Sequence, residues 1–235
     1  MDDLRQIRDN LLRVRERIAA AARKVGRRND EITLIGVSKT QPAEAIRAAY
    51  EAGLRHFGEN RVQEWEGKRA AVADLQARWH LVGHLQSNKA ARAAGLFHSV
   101  DSVDDFALAQ RLERARGEQA GASKLRILIE VRMEQEESKS GVKPEESVAL
   151  AGRLSELPHL ELAGLMCIPP LLEDPAKVRP YFRRLRELRD SLGHEIGRKP
   201  SVLSMGMSHD FEVAIEEGAT EVRVGTAIFG SRPTR

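Results

Sequence analysis

A chain of 235 residues with 41% apolar content can bury a full core, either as one α/β barrel or as two smaller domains. A net charge of +3, 4% aromatic residues and no block of five like charges leave nucleic-acid binding through stacking and phosphate contacts unsupported. The lone Cys167 excludes an internal disulfide and a multi-cysteine zinc site, and no run approaches ~18 apolar residues, so a cytoplasmic chain without a membrane partner is expected.

Leu4, Ile7, Leu11, Val14, Ile18 and Val25 recur at helical spacing, with Gly26 beyond them and Asp3 and Gln6 resembling a capping box. This helix precedes the first strand, so it is an addition to the strand–helix series and is expected on the outside. Ile32–Ser38 is a near-continuous apolar run, the pattern of a parallel strand buried on both faces, and it delivers Lys39 to its mouth. Desolvation at such a mouth favours the neutral, nucleophilic amine. A helix runs from Pro42 to Gly53, Leu54–Phe57 is a second strand, and a helix from about Asn60 carries Val62 and Trp65. Trp79–Val82 is a third strand, followed by a helix over Ser87–Ala94. Leu96–Val100 is a fourth, then a helix capped by Ser102 and Asp105; Leu125–Val131 is a fifth, then a helix from Pro144. Leu160–Met166 is a sixth, with a helix from Asp174-Pro175 to Gly193. Ser201–Met205 is a seventh, with a helix from Ser208 to Gly218, and Thr220–Val224 is an eighth, closed by a turn from Thr226. The alternation without a long linker predicts a single α/β domain over 1–235, a (β/α)8 TIM-type barrel with an additional N-terminal helix. A doubly wound open sheet is the competing architecture.

In a barrel the residues past each strand share one face. Here they include Lys39, Glu59-Asn60, Gly83-His84, Asp101, Arg132, Met166-Cys167, Ser204–Gly206 and Arg223–Thr226, with Lys39 the only lysine. Gly206 with Ser208, and Gly225 with Thr226, open the elements after strands seven and eight, where unpaired N–H groups favour an anion such as phosphate. Tight turns and an ordinary serine cap explain the same residues without a ligand. Lysine and phosphate cradle together suggest pyridoxal 5′-phosphate (PLP), with Arg223 facing the pyridine nitrogen. An arginine cannot accept the ring proton, so the ring is a weak electron sink. A salt bridge of Arg223 with Glu221 or Glu217 is the alternative.

Gly36-Val37-Ser38-Lys39-Thr40, Phe57-Gly58-Glu59-Asn60, Trp79–Lys89, Ser138-Lys139-Ser140-Gly141, Gly164-Leu165-Met166, Leu203–Asp210 and Val222–Gly230 are similar, in this order, to the signatures of the pyridoxal-phosphate homeostasis protein family. That family resembles the N-terminal barrel of alanine racemase. The resemblance implies PLP held as a Schiff base on Lys39, Asn60 beside it, Arg223 at the ring nitrogen, and Ser204, Ser208, Gly225 and Thr226 on the phosphate. It implies a carrier and regulator of vitamin B6 and amino-acid pools without turnover, and apo-enzymes that use PLP as acceptors; a monomer is expected. Lys139 matches a family lysine linked to cofactor handling. Gln41 stands where relatives often carry a second lysine, and the tail 231–235 has no terminal lysines.

The enzyme alternative is a PLP-dependent amino-acid racemase, which needs an acid/base on each face of the substrate carbon. Tyr50 and Tyr181 fall mid-helix, leaving His80 and His84 as candidates. A third reading, a metal-dependent barrel enzyme, has His80, His84 and Asp101 but no further ligand, so no metal site is expected. Lys89 reads as solvated, and Cys167 as a small buried hydrophobe.

Overall fold

The computed structural model describes residues 2–134 and 140–230. Eight parallel strands close into a barrel in sequence order, β8 pairing with β1. They are β1 Thr33–Val37, β2 His56–Glu59, β3 Arg78–Leu81, β4 Ser99–Val103, β5 Leu125–Glu130, β6 Leu160–Met166, β7 Val202–Ser204 and β8 Glu221–Val224. The helices are α1 Asp2–Lys24, α2 Ala43–Glu51, α3 Val62–Lys68, α4 Ala90–Leu96, α5 Phe106–Gly117, α6 Pro144–Ser155, α7 Arg179–Glu195, α8 Phe211–Glu216 and α9 Thr226–Phe229. The predicted fold is therefore the observed one, and the open sheet is excluded. Among the described residues no helix is long and apolar enough to cross a membrane.

The main core lies between the strands and the surrounding helices. Trp65 of α3 stacks on Trp79 at 3.8 Å, and Phe57 stacks on Trp79 at 5.1 Å. The additional helix α1 packs on the outside, as its spacing predicts. Ile7, Leu11, Val14 and Ile18 are buried against α2, α8 and α9, each worth about 1.5–3 kcal/mol of transferred apolar surface. Its polar face adds long-range links: Arg17 to Glu212 at 2.6 Å, Arg15 to the Ala52 carbonyl at 2.9 Å, and Asn10 to the Ile228 carbonyl at 2.9 Å.

Element boundaries moved where polar residues occupy inward strand positions. The predicted fourth strand, Leu96–Val100, starts too early: Leu96 ends α4, and the strand continues through Asp101 and Ser102 to Val103. Ser102 is consequently no cap; its hydroxyl donates to the Gly83 carbonyl at 2.7 Å, and Asp105 alone caps α5 by accepting from the Leu108 N–H. The second strand is likewise displaced from Leu54–Phe57 to His56–Glu59. Helix α7 passes through Gly193, and the left-handed residue beyond it is Gly197, with φ 67°.

Inside the barrel the alternation of strand residues makes three layers. A middle layer is apolar. Leu128, Ala163 and Met166 form a cluster separate from the outer core, and Ile35, Val37 and Val82 surround Gly58. Gly164 lies so close to the Val202 carbonyl that a β-carbon there would overlap it, so β6 and β7 need glycine at this level. Polar layers lie on both sides of this plug: one at the mouth, past the strand C-termini, and one at the floor.

Candidate functional site

The mouth is built first from the turn after β1. Ile35 and Val37 face inward, and the same alternation continues to Lys39, which is half-buried. Val37 pairs with Gly58, so Asn60, two residues further on and just past the end of β2, continues the inward series. The turn is fixed from outside the barrel. Ser38 donates to Glu59 at 2.5 Å, and Lys68 of α3 reaches Glu59 at 2.8 Å, the Ser38 carbonyl at 2.9 Å and Glu64 at 3.0 Å. Thr40 is the one non-glycine among the described residues with positive φ, 64°, and its N–H donates to Glu64 at 2.5 Å. A left-handed threonine costs roughly 1 kcal/mol or more, which this bond offsets. Burial raises the Glu59 carboxyl above its ordinary range. For Glu64 burial pushes the same way, but the Thr40 N–H and Lys68 outweigh it and hold the group low. Sequence reasoning missed Glu64 and Lys68; their i,i+4 spacing on α3 was the available signal.

The adjoining part of the mouth, on the other flank of β1 from β2, comes from β7, β8 and their loops. Arg223 lies inside β8 and is buried; its guanidinium donates to Ser204 Oγ and to the Cys167 carbonyl, both at 2.8 Å. The alternative salt bridge with Glu221 or Glu217 does not form: Glu221 pairs with Arg126, and Glu217 with Arg179, Arg183 and Arg186. The loop after β7 turns at Gly206, φ 93°, where a β-carbon would meet Ala214 at 2.5 Å. Asp210 accepts from the Met207 N–H at 2.6 Å and shapes the turn leading into α8. Ser208 was expected to open the helix after strand seven, but α8 begins at Phe211. The Ser208 hydroxyl instead accepts from the Ala227 N–H at 3.3 Å, joining the loops after β7 and β8. Gly225 and Thr226 begin α9 beside it, Thr226 exposed. The structure thus brings Asn60, Ser204, Arg223, Ser208, Gly225 and Thr226 to the same mouth as Lys39.

Glu130, the last residue of β5, was not singled out from sequence, although a carboxylate on the inward series of an apolar strand was a signal. Burial pushes it up to about 7, Asp104 pushes the same way, and Arg223 opposes. Its Oε2 has no hydrogen-bond partner. It lines a cavity of about 220 Å³ with Arg132, Met133, Ser140, Ile168 and Pro169.

Other sequence candidates lie elsewhere. His80 is within β3, not in a loop, and Asp101 is within β4; both are buried at the floor, below the apolar layer. His84 is exposed near Asp104, Nδ1 to Oδ2 3.7 Å. Tyr50 in α2 stacks under Arg55, and Tyr181 lies in α7. Lys89 is half-buried in a short 3₁₀ turn. Cys167 is fully buried and burial pushes its thiol up to about 12, an inert state. Lys139 and the tail 231–235 lie outside the described residues.

Residues 3–233 match the family described as alanine racemase, N-terminal domain. The chain is 48% identical to a pyridoxal phosphate homeostasis protein of Aquifex aeolicus, covering 95% of this chain and 97% of that one. The structure of PipY from Synechococcus elongatus with PLP bound aligns with a TM-score of 0.81 and 40% identity, covering 92% of this chain and 100% of that chain. An unknown protein from Bifidobacterium adolescentis aligns with a TM-score of 0.90 and 36% identity, over 97% of this chain and 96% of that one.

Proposed function

The chain belongs to the alanine racemase N-terminal domain family, among its pyridoxal phosphate homeostasis proteins, and on that premise we propose that it holds PLP as a Schiff base on Lys39. Its role is intracellular vitamin B6 and amino-acid balance, exerted without catalytic turnover. The whole of 1–235 acts as one PLP-binding domain, a cytoplasmic monomer that passes the cofactor to apo-enzymes.

The observation that carries this reading is the buried Arg223 guanidinium, anchored on Ser204 and the Cys167 carbonyl, on the strand that neighbours the one delivering Lys39. Bound PLP supplies an aldehyde that condenses with an amine and a ring that can delocalise negative charge. The residues present fit such a group. Lys39 offers the amine on a turn clamped by Glu59, Glu64 and Lys68. Arg223 presents N–H donors to a ring nitrogen and has no acceptor with which to take a proton from it. Ser208, already joined to the start of α9, stands with Gly225 and Thr226 where phosphate oxygens find hydroxyl and N–H donors. Asn60 flanks the ring, and Ser204 relays Arg223 toward the phosphate side.

A racemase would need a second acid/base on the face opposite Lys39. Tyr50 and Tyr181 are on the outer helices, His80 is at the floor and His84 is exposed to solvent beside Asp104, so the carrier reading is the better supported. An absorbance band near ~420 nm is expected for purified protein given PLP, as for an imine on lysine. Borohydride reduction and peptide mapping should label Lys39, and Lys39→Ala should lack the band. A label on another lysine would sink the assignment; steady alanine turnover abolished by Lys39→Ala would replace the carrier with the racemase.

A further inference from the structure

The floor of the barrel holds a polar cluster that the PLP reading does not use. His80 of β3, Asp101 of β4 and Glu221 of β8 are 2%, 0% and 5% exposed, and their donor atoms lie within 4.8 Å of one another. Each side chain has two polar atoms, and in each the two are treated differently. His80 Nε2 is 3.0 Å from His56 Nδ1, Asp101 Oδ1 accepts from the Ser99 hydroxyl, and Glu221 Oε1 accepts from Arg126 at 2.6 Å. The other atoms, His80 Nδ1, Asp101 Oδ2 and Glu221 Oε2, are buried without a hydrogen-bond partner. Three orphans in one place are unusual, because a buried unpaired polar atom costs about 1–3 kcal/mol.

We propose that these three side chains form a site for a divalent cation of the Zn²⁺ class, bound through His80 Nδ1, Asp101 Oδ2 and Glu221 Oε2. The outer atoms already have the partners that orient metal ligands: an imidazole for the histidine, a hydroxyl and a guanidinium for the carboxylates. His80 Nδ1 and Asp101 Oδ2 face each other at 3.3 Å, close enough to pair when the imidazole is charged. That matches the roughly 3.4 Å between two ligands about 2.1 Å from one tetrahedral ion. A mixed imidazole and carboxylate set suits Zn²⁺ better than Mg²⁺ or Ca²⁺, which take oxygen alone. The two buried carboxylates share one permanent cation, Arg126, and a bound metal ion would offset the charge that Arg126 leaves unpaired. A proton on Glu221 is the rival occupant. The ion would tie β3, β4 and β8 together across the barrel, below the apolar layer and away from Lys39.

The test uses the full-length protein, PLP-loaded and stripped with a chelator, then given Zn²⁺ or Co²⁺ alone. The site predicts about one Zn²⁺ retained per chain after dialysis, a higher melting temperature, and the intense visible bands of tetrahedral Co²⁺. Glu221→Gln and Asp101→Asn should each abolish retention while keeping the PLP band, and Ser99→Ala should weaken binding about 10–100-fold. Folded wild-type protein that retains no metal and gives no Co²⁺ spectrum overturns the proposal in favour of the proton. Retention undiminished in the two carboxylate variants overturns it by placing the ion elsewhere.

Discussion

Mouth and floor are both polar ends of one barrel, divided by the layer of Ile35, Val82, Leu128, Ala163 and Met166, yet they are assembled in opposite ways. The mouth is rimmed by loops above the strand residues Glu130, Ser204 and Arg223. Lys39, Asn60 and Ser208 are half-buried and Thr226 is exposed, so water can satisfy them until a ligand replaces it. The floor comes from single residues on five strands, His56, His80, Ser99 with Asp101, Arg126 and Glu221, closed from solvent at its centre. An open polar surface tolerates the loss of one member. A closed one does not, because every removal strands a partner in a low dielectric.

That contrast is most exposed to failure at Arg126, whose guanidinium holds Glu221 at 2.6 Å. Arg126→Leu strips the buried carboxylate of its pair and should cost about 3–5 kcal/mol, read as a lower urea midpoint in EDTA-treated protein. A loss below about 1 kcal/mol would mean the floor is as forgiving as the mouth.

Glu130 sits at the mouth but is buried like a floor residue, so it sharpens the distinction. It keeps its proton in the folded chain up to about 7, against 4.5 for the free carboxyl. Stability linked to the protonated form is therefore complete below about pH 4.5, declines as pH rises and is gone above about 7. At about 1.4 kcal/mol per pKa unit this amounts to at most ~3.5 kcal/mol. Glu130→Gln should flatten that decline, so the variant gains on the wild type between about pH 4.5 and 7 in denaturation series. Parallel pH curves for the two proteins would show that burial does not govern this carboxyl.

The smallest effect is expected at Ser208. Ser208→Ala removes one hydroxyl from a half-open loop, so global stability should change by less than about 0.5 kcal/mol. PLP affinity should fall about 10–100-fold, the worth of one hydrogen bond to a charged group. A stability loss matching that at Arg126 would erase the difference between the two ends.

The two ends also differed in how far the sequence revealed them. Lys39, Asn60, Ser208 and Gly225 stand in short contiguous motifs at strand ends, where chain order and spatial order coincide. The barrel was legible for the same reason: each apolar run is local. The floor is not local. Asp101 looked like a strand-end residue because its strand carries polar side chains inward, and that pattern displaced the fourth strand by several residues. Glu221 and Arg126, 95 residues apart, meet only once the barrel closes. Neither periodicity nor spacing records such a meeting.

Helix α1 also constrains the order in which the protein can be made. Its apolar stripe is covered by α2 on one flank and by α8 and α9 on the other, and Arg17 waits 195 residues for Glu212. At about 5–20 residues per second, a nascent chain carries that stripe half-covered for roughly 10–40 s of synthesis. The first helix completed is thus among the last to be fully seated, and the interval is an opportunity for chaperones or for aggregation with neighbouring polysomes.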